Sequence, residues 1–241
     1  MRKILCVTAH PDDEVATFGG TVSHYARLGV HCRLICLTAG ESAKNRGAAT
    51  DPAALKALRS EELAASCKLL QFAGHELWDM GDARLPQAPF YYVLSRLVAA
   101  IRRFQPDVVL SFGPEGSVTA HPDHGMTGTF ATTAFHWAAH QKFFPELGLP
   151  PFRSQRLFYA TAAFQPPQFE PVWLPAPNVA MPVGEFLERK IEAFTLHRSQ
   201  APLLERVTAF MRLAGQQELF HLAAGKPLPD SGPADDLFAG I

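Results

Sequence analysis

The sequence predicts an α/β domain with a mostly parallel sheet and helices on both faces, on three observations. Four short apolar runs, at 3–8, 31–38, 76–79 and 107–112, alternate with helix-like segments, the order of βαβ units and a parallel sheet. Glycine and proline punctuate the chain where helices stop, Gly29 after the first helical segment and Pro106 after the third. Two clusters, His10-Pro11-Asp12-Asp13-Glu14 and His121-Pro122-Asp123-His124, follow the first and fourth strand-like runs. Open α/β sheets hold their ligands outside these carboxyl ends of strands.

In chain order, Lys3–Thr8 reads as a buried strand, and Glu14–Leu28 as a helix ended by Gly29. His31–Thr38 is the second strand, Pro52–Phe72 the second helix and Glu76–Asp79 the third strand. Phe90–Phe104 is a helix closed by Gln105-Pro106, Asp107–Phe112 the fourth strand, and Pro122–His140 a long helix. Residues 143–184 change character: prolines at 145, 150, 151, 166, 167, 171, 175, 177 and 182 interrupt Leu157–Phe164 and Val172–Leu174. This Pro-rich region is expected to add short edge strands, antiparallel strands among them. Gly184–His197 and Ala201–Leu213 read as helices, and the Pro-, Gly- and Asp-rich end as poorly ordered. The expected organisation is therefore one domain over 1–225 and a tail over 226–241.

Composition narrows the function. At 241 residues, 47% hydrophobic and 19% charged, the chain can bury a substantial core. A formal net charge of −1 without a basic block excludes a nucleic-acid footprint. Met1-Arg2-Lys3 followed by an apolar stretch begins like a signal peptide, but Asp12, Asp13 and Glu14 end that stretch too early for one. No apolar run reaches the roughly 18 residues of a membrane span. The expectation is a cytoplasmic protein with no membrane span. Cys6, Cys32, Cys36 and Cys67 sit in apolar contexts and read as reduced, buried hydrophobes.

The two clusters carry the chemistry. Proline suits a first helical turn, and residues three apart then share a face, so His10 can align with Asp13 and His121 with His124. A single such cluster could be an acidic helix start favoured by the helix dipole. Two clusters at two strand ends point to a metal. His10, Asp13 and His124 supply two imidazoles and a carboxylate, ordinary ligands for a catalytic zinc that keeps one open position. Asp12 and His121 are left over beside it, as hydrolysis at a metal requires.

Ala9-His10-Pro11-Asp12-Asp13-Glu14 and His121-Pro122-Asp123-His124 closely resemble the motifs of the LmbE-like (PIG-L) family of metal-dependent N-deacetylases. Weaker matches lie in Thr38-Ala39-Gly40-Glu41, in Arg59-Ser60-Glu61-Glu62, and from Lys190 through Ala193 to His197-Arg198-Ser199-Gln200. The resemblance implies a Rossmann-like fold and a zinc-dependent hydrolase removing the acetyl group of an N-acetylglucosamine-type sugar or conjugate, a small molecule. It also implies roles: His10, Asp13 and His124 bind Zn2+ (with Fe2+ as the alternative ion in the cell), Asp12 is the general base, His121 the acid or oxyanion partner, and Asp123 its orienter. Two departures stand out. Ala120 replaces the glycine many relatives have before the second cluster, and Thr119 replaces a tyrosine that some use to polarise the carbonyl.

Glu41, Arg59, Asp82 and His197 are the candidates for substrate contact. Each has a plainer reading. Glu41 could cap a helix or loop, Arg59 could pair with Glu62 one turn away, and His197 could cap a helix or support the site from behind. Asp82 is a strand-end acid able to accept from a sugar hydroxyl. The loop over 42–50 could be a lid or an ordinary surface loop. Phe143, Phe144, Phe152, Phe158 and Phe164 read as core first, then as a pocket flank or a subunit contact, which leaves a homo-oligomer open. Two other functions fit parts of the pattern. Two His and a carboxylate also describe an Fe(II) facial-triad oxygenase, although its usual barrel has no βαβ order. A non-catalytic sugar- or nucleotide-binding module would suit the sheet but lacks a Gly-rich phosphate turn after the first strand.

Overall fold

Alternation along the first strand decides how the sheet is covered. In β1 (Lys3–Thr8) Ile4 and Cys6 enter one core and Leu5 and Val7 the other, so both faces must be roofed by helices. A computed structural model describes residues 1–165, 169–214, 216–229 and 234–241. The order continues α1 (Asp13–Arg27), β2 (His31–Cys36), α2 (Pro52–Leu69), β3 (Gly74–Leu77), α3 (Phe90–Phe104), β4 (Val108–Ser111) and α4 (Pro122–Ala138). Then come β5 (Arg156–Thr161), β6 (Val179–Pro182), α5 (Leu187–Thr195), α6 (Leu204–Ala214) and β7 (Gln217–Gly225).

The seven strands form one sheet in the order β3-β2-β1-β4-β5-β7-β6. The first five are parallel, and β7 runs antiparallel to both β5 and β6. Phe18, Val22 and Tyr25 of α1 and Leu63 of α2 fill one face; Val93, Leu94 and Leu97 of α3 and Phe130 and Ala134 of α4 fill the other. A third cluster joins Val15, Leu70, Ala193, Phe194 and Met211 across α1, α2, α5 and α6. All four cysteines are free and lie in the first core. The chain order reverses between β1 and β4, which makes their carboxyl ends the crevice.

The Rossmann-like α/β expectation holds, and the differences have local causes. β2 stops at Cys36 because the Leu37 and Thr38 amides, each at 2.9 Å, follow the carbonyls of Thr8 and Ala9 as β1 turns away. β5 is an internal strand parallel to β4, not an edge, because its Leu157 and Phe158 are buried on opposite faces. Val172–Leu174 forms no strand, and residues 166–168 of the Pro-rich region lie outside the described residues. The nine-residue β7 was not anticipated, since Gln217–Gly225 lacks a clean apolar alternation.

The end of the chain, expected to be poorly ordered, packs. Leu237 and Phe238 are buried, and the Arg156 guanidinium donates to the carbonyls of Lys226, Pro227, Leu237 and Ala239 at 2.7–2.9 Å. One buried cation thus satisfies four carbonyls that the loop would otherwise leave unpaired. Residues 230–233 of this segment lie outside the described residues. No described helix is long and apolar enough to cross a membrane.

Candidate active site

The turn after β1 is built around its own carboxylate. Asp13 Oδ2 accepts from the backbone N–H of His10 at 2.8 Å and of Ala9 at 3.2 Å, curling the chain so that His10 and Asp13 share one side. Asp12, between them, adopts a left-handed backbone with φ 108°, a conformation a non-glycine residue keeps only when its surroundings enforce it. The enforcement is visible. Glu14 Oε2 accepts from Asp12 N–H at 2.8 Å, and the Arg59 guanidinium donates to the Pro11 carbonyl and, at 3.0 Å, to Asp12 Oδ2 and the Gly40 carbonyl. Gly40 has φ +66°, and a Cβ there would lie 2.0 Å from Arg59 Nη1, so the approach of the guanidinium requires glycine.

After β4 the chain passes Gly116 and a short 3-10 turn at Ser117–Thr119 before Pro122 opens α4. His121 caps this helix: its Nδ1 accepts from the Asp123 backbone N–H at 3.1 Å. In the neutral ring the proton is therefore on Nε2, an assignment made from this hydrogen bond. Burial first, then the neighbouring His10 and His124, holds the His121 pKa below its ordinary value, so the ring stays neutral. Asp123 does not orient His121 with its carboxylate, contrary to the expectation. Fully buried, it accepts from Ala83 N–H at 2.7 Å and Leu85 N–H at 3.1 Å and lies 3.2 Å from His10 Nε2.

The two loops meet. Ligating atoms of His10, Asp13 and His124 all lie within 4.8 Å of one another, as do those of His10, His121 and Asp123. The donor chemistry favours the first set as a cation site. The Asp123 carboxylate is already committed to two amides and has no open side. In the first set each imidazole has one nitrogen tied back and the other free to face an ion, the arrangement that fixes the tautomer of metal-binding histidines. His10 Nε2 is 3.2 Å from both Asp123 Oδ2 and Asp82 Oδ1, leaving Nδ1 toward Asp13. His124 Nδ1 meets Thr119 Oγ1 at 3.3 Å, leaving Nε2 at 3.2 Å from Asp13 Oδ1. Phe112 stacks on His124 with ring centroids 4.2 Å apart.

Electrostatics separates two adjacent aspartates. Burial would raise Asp13, but the His124 charge and the bonds from His10 and His124 hold it well below the usual carboxylate range. Asp12 moves the other way, to about 6, because burial outweighs the lowering effect of Arg59 and is reinforced by Asp13. Burial would lower His10, yet the bonds to Asp123, Asp13 and Asp82 win and raise it well above its ordinary value. This excess of carboxylates around one imidazole is the field a divalent cation neutralises.

The four expected substrate contacts divide. Arg59 is only 3% exposed and His197 1%, so neither faces the crevice openly, and Arg59 pairs with Asp12 rather than Glu62. Glu62 instead accepts from the Ser199 N–H and hydroxyl, both at 2.7 Å. His197 Nε2 meets Glu14 Oε1 at 2.8 Å, supporting the carboxylate that holds Asp12 N–H. Asp82 is turned to His10 and accepts from Ser42 N–H at 2.7 Å. Glu41 Oε1 accepts from Asp82 N–H at 2.9 Å, while its buried Oε2 has no hydrogen-bond partner among the described residues.

Sequence reasoning missed Glu14 and the supporting part of Thr119. Glu14 was visible only as a helix-start acid, because its partners Ser66 and His197 are 52 and 183 residues away. Of the Phe cluster, Phe158 is core, Phe143 stacks on Trp137, and Phe164 lines a cavity of about 280 Å3 beside the 117–119 turn. The 42–50 loop is tied to the body through Ser42 and through the Asn45 carbonyl, which accepts from Gln200.

The chain is 28% identical to the diacetylchitobiose deacetylase of Thermococcus kodakarensis, over 84% of this chain and 71% of that protein. It is 29% identical to the 1D-myo-inositol 2-acetamido-2-deoxy-alpha-D-glucopyranoside deacetylase of Rhodococcus erythropolis, over 100% of this chain and 98% of that protein. In fold it resembles the 4-carboxy-2-hydroxymuconate hydratase of Pseudomonas putida KT2440, with TM-score 0.78 at 23% identity, covering 95% and 99% of the two chains. The family model described as PIG-L, GlcNAc-PI de-N-acetylase, matches residues 5–135, more than half the chain, from within β1 through both clusters. The chain belongs to the PIG-L family.

Proposed function

We propose that this protein is a zinc-dependent N-deacetylase acting on an N-acetylglucosamine-type sugar or conjugate. One observation carries the reading: His10, Asp13 and His124 converge on the turn that also carries Asp12, a half-buried carboxylate raised to about 6. The deacetylase relatives support the substrate class. These three residues would hold the ion, which supplies a water of lowered pKa and polarises the acetyl carbonyl.

The protein's own groups account for the proton movements. Asp12, ionised near neutrality yet far more basic than an ordinary aspartate, accepts a proton from the attacking water. Arg59 and the Glu14–Asp12 amide bond hold that carboxylate in its strained turn. As negative charge develops on the acetyl oxygen, His121 Nε2–H donates to it; a neutral ring with Nδ1 occupied can do this without giving the proton away. The proton on Asp12 then passes to the leaving nitrogen as the C–N bond breaks, giving acetate and the free amine. Thr119, which replaces the tyrosine of some relatives, has its hydroxyl on His124 and supports that ring instead.

The test is a panel of N-acetylated amino sugars and conjugates, with released acetate measured against metal content. Acetate matched by free amine supports the proposal. Because a hydratase shares the fold, the readout is acetate and not substrate loss. A metal-loaded protein that releases none from any member overturns it.

A further inference from the structure

On the face of the sheet that α3 covers, a groove of about 680 Å3 runs between α3 and the β2–β3 edge, and none of its lining residues belongs to the crevice. It exists because β3 is an outermost strand and α3 packs inward on α4. Its walls carry Lys3, Arg33, Arg96 and Arg103, with Trp78 and Phe104 alongside. Glu76 is the one carboxylate in the lining, and it accepts from Trp78 Nε1–H at 2.9 Å.

None of these four cations pairs with a carboxylate among the described residues, although Arg27, Lys56, Arg59, Lys190 and Arg212 all do. Three are held in place by groups that leave N–H donors free. The Arg96 guanidinium lies 3.9 Å from the Trp78 ring and that of Arg33 5.4 Å from Phe104. Lys3 Nζ spends one of its three protons on the Phe104 carbonyl at 2.9 Å. Four positive charges face one carboxylate and the C-terminus of α3, worth about half a negative charge, so roughly +2.5 is left in the groove. The whole chain has a formal charge of −1, which makes this a local concentration and not a general excess.

We propose that this groove binds a small molecule bearing two phosphate groups, at a site separate from the catalytic crevice. The volume lies within the usual range for small-molecule pockets, about 300–1,000 Å3. Guanidinium forks match phosphate oxygens in pairs. Lys3 and Arg33 gather around Phe104 and Arg96 lies over Trp78, two centres that suit two anionic groups better than one.

The test uses the full chain with Trp137→Phe and Trp173→Phe, leaving Trp78 as the reporter. It is titrated with fructose 1,6-bisphosphate against sodium chloride of equal ionic strength. The expected result is a saturable change in emission, half-complete below about 1 mM, and absent with chloride. Arg33→Gln and Arg103→Gln, at exposed positions, should each weaken binding about tenfold or more, with thermal unfolding confirming that both variants fold. A response that never saturates, one matched by chloride, or unchanged affinity in both variants overturns the proposal. So does a bisphosphate-independent change in sedimentation on Arg33→Glu, which would make the groove a contact between copies of this chain.

Discussion

Replacing Arg59 by glutamine tests whether this buried cation works through Asp12 or on substrate. Its Nη2 is 3.0 Å from Asp12 Oδ2, and the charge is the largest influence lowering that pKa. Unit charges about 4 Å apart interact by about 4 kcal/mol at an effective dielectric of 20. At 1.36 kcal/mol per pKa unit that is about three units, and arginine neighbours lower aspartates by about 1–3 units. With the charge gone, burial, Asp13 and Glu14 act unopposed by Arg59, and Asp12 rises by about 1–3 units. Asp12 works as a base only when ionised, so turnover rises with pH through its pKa. In the metal-loaded wild type that acidic limb lies at or below about 6, since a cation can only lower it. Arg59→Gln should shift the limb of kcat/KM upward, losing activity at pH 6 and recovering it at higher pH, while Arg59→Lys keeps most of the wild-type profile. The stability sign is consistent. A carboxylate raised above its unfolded value contributes stability that is full at low pH and is lost as pH climbs through the folded pKa, so Arg59→Gln should unfold more readily near neutrality. An unmoved limb with a raised KM would refute this reasoning and return Arg59 to the role of a substrate contact.

Four further outcomes are expected. His10→Ala, Asp13→Ala and His124→Ala should each lose the divalent ion, read by elemental analysis of purified protein; full occupancy in all three would remove the assigned ligand set. Asp12→Asn should keep the ion and lower kcat by about 10²–10⁴-fold, and loss of metal instead would make Asp12 a ligand. His121→Ala should retain the ion and lower kcat far more than it changes KM, the signature of a contact made in the transition state; near wild-type turnover excludes it. Thr119→Val should weaken metal affinity by about 10–100-fold while Thr119→Ser restores it, and a chelator competition showing equal affinity in all three proteins would leave the Thr119–His124 bond without consequence.

What was legible in the sequence is what is local. β1, α1 and α3 carry their period, their stop signals and their apolar faces within 15 residues or fewer, and their structure follows closely. The two clusters were legible for the same reason, because proline and a three-residue spacing impose a shared face without help from the rest of the chain. The supports of the site were not. Arg59 looked like half of an i,i+3 pair with Glu62, but each found a stronger partner across the fold, Asp12 for one and Ser199 for the other. Asp123 looked like the orienter of its neighbour, yet its carboxylate turns to His10, on the turn after β1, and to Ala83 and Leu85, 40 and 38 residues upstream. β7 escaped because its burial comes from sitting between β5 and β6, a tertiary fact that its own alternation does not announce.

Asp12 and Asp13 show why sequence adjacency carries so little of the chemistry. They are the same residue type on one turn, both largely removed from water, and burial alone would raise both. What separates them is the side from which compensation arrives. Asp13 receives it from the β4 side, as His124 within 3.2 Å at Oδ1, and from its own turn, as His10 and two amides at Oδ2. Asp12 receives Arg59 first and His197 behind it, against like charge from Asp13 and Glu14. One carboxylate is thus kept permanently ionised and the other poised to gain and lose a proton near neutral pH. Pairs of titratable groups pushed apart in this way mark the division of labour in a hydrolytic site. A mere binding module has no use for the second state, and a metal ligand has no use for a raised pKa. The proposed roles of ligand for Asp13 and base for Asp12 therefore rest on their neighbours, and exchanging the two residues' functions would require exchanging Arg59 and His124 as well.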